Sequence, residues 1–144
     1  MHRLTALLKS IVLCFFINAS VCASSQVDSK VFKCFASQPM PLEISIDHQI
    51  NHLELAVLKL SGNSLSQPRK LTNWTLDEYH RALVDEESLE FRIAERFFFL
   101  SEYHSEEFGE LETILSVTLT HENKTQYFEC EDGSSSNLTS LFED

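Results

Sequence analysis

Glycine is scarce in this chain, with 3 among 144 residues. That leaves little backbone for Gly-rich phosphate cradles or the tight turns that build oxyanion holes. No G-x-S-x-G, P-loop or C-x-x-C occurs, so serine-hydrolase, nucleotide-binding and paired-cysteine chemistry all lack their usual residues. Basic side chains are also few: 11 Lys and Arg face 22 Asp and Glu, a net charge of −11. Such a field repels nucleic acid and anionic membrane surfaces, and nucleic-acid binding is set aside. The apolar run at 11–17 is far shorter than the roughly 20 residues a membrane-spanning helix requires. No stable membrane insertion is therefore expected.

That same run has another meaning. Arg3 and Lys9 precede it, and Val21-Cys22-Ala23 follows it with residues that suit a signal peptidase. Residues 1–23 read as an export signal cleaved between Ala23 and Ser24, which directs the protein to the periplasm or the extracellular space. Cys22 is a poor lipid-attachment site because β-branched Val21 stands directly before it. The compact signal leans towards a bacterial exporter. In a eukaryotic host, the sequons at Asn73, Asn123 and Asn137 would be candidates for glycosylation.

Removal of the signal takes Cys14 and Cys22 with it and leaves Cys34 and Cys130. Two cysteines in an exported chain of this size most simply form one disulfide. Cleavage also deepens the charge imbalance. Residues 24–74 carry five basic and four acidic groups, a net of +1, whereas residues 75–144 carry four and eighteen, a net of −14. The second half of the chain is thus the natural meeting point for a basic partner.

Hydrophobic periodicity predicts a mainly β domain over 24–131, followed by a flexible acidic tail at 132–144. Alternation marks strands around Val31 to Ala36, Leu42 to Asp47, Leu53 to Leu58, Leu89 to Ala94 and Ile114 to Thr120. Phe97 to Leu100 is a continuous apolar run with strong β preference, and Gln126 to Glu131 completes a hairpin with the strand before it. One short α-helix is expected near 75–84. Thr75 and Glu78 have capping-box spacing, and Leu76, Tyr79, His80 and Leu83 fall on one helical stripe. About seven antiparallel strands with brief connections imply a small barrel or sandwich.

No catalytic constellation emerges, and the protein reads as a non-enzyme with no cofactor. His48 and His52 have the spacing of a helical metal pair but lie in a strand-and-turn context, so they read as solvated turn residues. The segment from Tyr103 to Glu107 can offer carboxylates to a hard cation. It lacks the ordered Asp/Asn/Gly spacing of a calcium loop, and a solvated acidic loop is the plainer reading. No metal ligands are assigned, although a divalent-cation site within 102–112 stands as a third hypothesis.

The leading expectation is an exported, acidic binding or inhibitor-like module that meets a basic protein partner. Its contact residues would be Trp74, Phe98, Glu106, Glu107, Glu110 and Glu112. Exported inhibitors of lysozymes, which are basic enzymes, exemplify the type, though no shared motif supports a closer link. The alternative is a carrier holding a small apolar ligand among Phe91, Phe97, Phe99 and Val117.

Overall fold

The computed structural model describes residues 30–143, and the expected signal segment and its cleavage point lie outside the described residues. The described chain forms two antiparallel sheets. In the first, β1 (Lys30–Ala36), β2 (Leu42–Gln49) and β3 (His52–Leu60) make a meander. Two short pieces, β4 (Asn63–Ser64) and β5 (Arg69–Lys70), pair along the outer edge of β3. The second sheet is an uninterrupted five-stranded meander of β6 (Trp74–Arg81), β7 (Val84–Ile93), β8 (Arg96–Ser105), β9 (Glu112–His121) and β10 (Lys124–Glu129). Its β9–β10 connection places Glu122 and Asn123 at φ 49° and 61°, the left-handed pair that matches the twist of a two-residue hairpin.

The strands read from the sequence recur in β1–β3 and β7–β10, and the structure is mainly β. β8, however, runs on through Tyr103, His104 and Ser105, read from sequence as an acidic loop, because those residues pair with both β7 and β9. Neither sheet closes into a barrel, since β6 and β10 remain as separate edges of the second sheet. The helix expected at 75–84 is absent. Those residues form β6 and its turn, paired with β7 from Trp74↔Phe91 to Arg81↔Val84. Pairing along a whole neighbouring strand satisfies more backbone groups than a short isolated helix held by one cap.

One hydrophobic core serves both sheets. Leu89, Phe91, Phe98, Leu100, Val117 and Phe128 from the second sheet cluster with Phe32, Ile44, Ile46, Leu53 and Leu55 from the first. Phe91 and Phe98 stack with ring centroids 5.0 Å apart. The disulfide links Cys34 of β1 to Cys130, just past β10, with Cα atoms 5.2 Å apart. It therefore ties one sheet to the other.

Beyond the disulfide the chain does not hang free. Glu131 donates its amide to the Phe35 carbonyl at 2.7 Å, and Asn137 donates to Val31 at 2.8 Å. Between them β11 (Ser135–Ser136) pairs with Phe32 and Lys33 of β1, completing the six-stranded first sheet. A 3-10 helix at Leu138–Phe142 follows, with Leu138 fully buried in the core. The tail expected to be flexible is thus a docked element through Phe142. Among the described residues no helix is long and apolar enough to cross a membrane.

Candidate functional site

Antiparallel register places directly opposed residues on the same face of a sheet. On the core side of the second sheet this lines up Leu76, Leu89, Leu100, Val117 and Phe128 as one transverse row. The next row on that face, two residues further along each strand, reads Glu78, Glu87, Glu102 and Leu115. The row after it reads His80, Asp85, His104 and Thr113. A single step along the strands thus converts the face from core to ionisable groups.

Three of these side chains converge. His104 Nε2 lies 3.0 Å from Glu102 Oε1 and 4.0 Å from Glu87 Oε2. The other imidazole nitrogen, Nδ1, is 2.9 Å from Thr113 Oγ1. The second oxygen of Glu102 accepts a hydrogen bond from the Ser136 hydroxyl, so the docked C-terminal segment of the first sheet anchors a carboxylate of the second. Glu87 is the deepest member, with its side chain 8 % exposed, and its Oε2 has no hydrogen-bond partner. Burial first, and the neighbouring Glu102 charge second, push the Glu87 carboxyl above its ordinary pKa, while His104 acts the other way. One strand away, His80 sits between Asp85 (2.7 Å) and Glu78 (2.9 Å). Those bonds, Asp85 foremost, raise its pKa.

The same end of the sheet carries an unusual surface. The turn at 106–111 presents Phe108 and Leu111, 89 % and 67 % exposed, and the adjoining turn after β6 presents Leu83, 51 % exposed. The Glu106 amide donates to the Leu83 carbonyl at 2.9 Å, and Arg81 bonds Glu107 at 2.7 Å. Gly109 closes the turn at φ 83°, a left-handed conformation that glycine adopts without strain. Between the two turns lies a cleft of about 190 Å³ whose walls include Leu83, Asp85, His104, Glu106 and Leu111.

The residues singled out from sequence do not form one site. Glu106, Glu107, Glu110 and Glu112 gather on and beside the exposed turn. Trp74 is exposed, but it begins β6, at the strand end remote from that turn. Phe98 is fully buried and offers no surface to a partner, because alternation sends it inward with Leu100. The four residues assigned to an apolar ligand are not brought together. Phe91 and Val117 pack in the core, while Phe97 and Phe99 occupy the opposite face, with Arg92 lying over the Phe97 ring at 5.5 Å. His48, next to last in β2, and His52, first in β3, flank the turn at 50–51.

Phe108, Leu111 and Glu87 are not singled out by the sequence reading, and Leu83 enters it only as part of the expected helical stripe. The available signal was Phe108 itself, a large apolar residue inside a Glu-rich turn beside glycine, where no strand alternation can bury it. Comparisons with protein-family models, with curated proteins and with solved structures found no match.

Proposed function

We propose that the protein is an exported, non-enzymatic binding module, a two-sheet sandwich that engages a basic protein partner through the turns after β6 and β8. The observation that carries this reading is the composition of that tip. Leu83, Phe108 and Leu111 stand exposed next to Glu106, Glu107, Glu110 and Glu112. Apolar anchors within a charged rim are the usual anatomy of a protein-binding hot spot. The carboxylates would steer a cationic partner and fix its orientation, while desolvation of the anchors would supply most of the affinity. An inhibitor-like mode follows from shape, since a protruding Phe on a glycine-closed turn suits insertion into a cleft. The Cys34–Cys130 disulfide is consistent with an oxidising destination.

The test is affinity capture from the protein's own exported compartment, using the oxidised domain as bait beside its Phe108→Asp variant. A basic protein retained by the first bait, lost from the second and released on moving from low to moderate salt supports the proposal. Equal capture by both baits, or retention indifferent to salt, refutes it.

A further inference from the structure

We propose that Glu87, Glu102 and His104 form a binding site for a divalent transition-metal ion of the zinc type. These three side chains are not among the residues proposed above to meet the partner. One ligand atom from each of the three residues can be chosen so that all lie within 4.8 Å of one another. Zinc bonds to imidazole and carboxylate at about 2.0–2.2 Å, so tetrahedral donors are spaced by about 3.3 Å. The 3.0 Å and 4.0 Å separations from His104 Nε2 to the two carboxylates bracket that spacing.

Glu87 is the observation that points beyond an ordinary ion pair. A carboxylate oxygen that is buried, partnerless and directed at a second carboxylate and an imidazole costs free energy unless a cation or proton neutralises it. The remaining contacts have the form of outer-sphere support. A metal would take the place of the proton shared between His104 Nε2 and Glu102 Oε1 at 3.0 Å. Thr113 Oγ1, 2.9 Å from Nδ1, is placed to accept Nδ1–H in the tautomer a metal requires. Ser136 orients Glu102 from the other sheet. The imidazole selects against calcium and magnesium, which take oxygen donors, and in favour of zinc-like ions.

Isothermal calorimetry of the oxidised, chelator-treated protein with zinc chloride tests the site. One zinc per chain is expected, with calcium chloride far weaker. Glu87→Gln and His104→Gln should each weaken binding by at least about tenfold, and Thr113→Val by roughly tenfold through the lost support of Nδ1. His80→Gln should bind as the parent does, which separates this site from the nearby His80 pair. Misfolding does not confound the key variant. Glu87→Gln removes a buried, unpartnered charge, so without metal it should melt no lower than the parent. Absence of saturable zinc binding, zinc affinity unchanged in Glu87→Gln or His104→Gln, or calcium binding as tightly as zinc would each overturn the proposal.

Discussion

The Glu106 amide donates to the Leu83 carbonyl at 2.9 Å, joining two turns that are separated in sequence by the whole of β7 and β8. The Arg81–Glu107 ion pair at 2.7 Å spans the same gap, although as an exposed pair it contributes little stability by itself. Together they tie to each other the backbones of the two turns that carry Leu83, Phe108 and Leu111. A surface ordered before contact loses less conformational entropy on binding.

Phe108 therefore separates stability from recognition. Its ring is almost wholly solvated in the free protein, so Phe108→Ala should change unfolding free energy by no more than about 0.5 kcal/mol. If the ring is a binding anchor, the same change weakens the partner complex by about tenfold or more. Urea melts of the free variant and a binding titration with the captured partner check both halves.

The contrast between β6 and the other long strands shows what local sequence can and cannot report. In β7–β10 one face is core, and alternation writes that burial into residues such as Leu89, Phe91, Val117 and Leu119. β6 is an edge strand in which only Leu76 is even partly buried, so no alternation exists to be read. The capping-box pair Thr75 and Glu78 and the helical stripe of Leu76, Tyr79, His80 and Leu83 then carry the local signal, and tertiary pairing overrides it. The cluster is half legible for a related reason. Glu102 and His104 lie two apart on one strand, which places them on one face, but Glu87 joins them only through the β7–β8 register. Leu138 was obscured by the Ser-rich composition around it.

The disulfide closes a loop across a sequence separation of 96 residues. In the chain-entropy model, bridging a loop of about 100 residues stabilises the fold by about 4–5 kcal/mol, less any native strain. The double variant Cys34→Ala, Cys130→Ala should lose most of that amount. Because the bridge holds the start of the docked C-terminal segment against β1, hydrogen exchange should accelerate first at the Glu131 and Asn137 amides. Urea unfolding and amide exchange of the double variant measure both effects.

Two exposed groups should show opposite pH behaviour. His80 has its folded pKa raised, chiefly by Asp85 and then by Glu78. Its contribution to stability is full below its unfolded value near 6.5 and is lost as pH rises through the higher folded value. Glu131 has its folded pKa lowered by the hydroxyl and amide donors of Ser37. Its contribution is present above the ordinary carboxylate value and disappears as pH falls through the lower folded one. NMR titration should place His80 above a free imidazole, with Asp85→Asn moving it down. Ser37→Ala should move Glu131 up by removing the hydroxyl donor, while the amide donor remains.

Leu138 tests whether the C-terminal segment is part of the fold. Its side chain is fully buried, and it is reached through β11, whose residues pair with Phe32 and Lys33. Replacing a buried leucine by alanine removes apolar burial and leaves a cavity, typically at a cost of 2–5 kcal/mol. Leu138→Ala should fall within about that range, a large fraction of the stability of a domain this size. A chain ending at Glu131 should lose more, since it also strips β11 from the edge of β1. The neighbouring exposed Thr139 provides the control, because Thr139→Ala leaves the core filled and should be close to neutral. Urea unfolding of the three variants decides the matter: a loose tail would make Leu138→Ala as silent as Thr139→Ala, whereas a docked one separates them by several-fold in free energy.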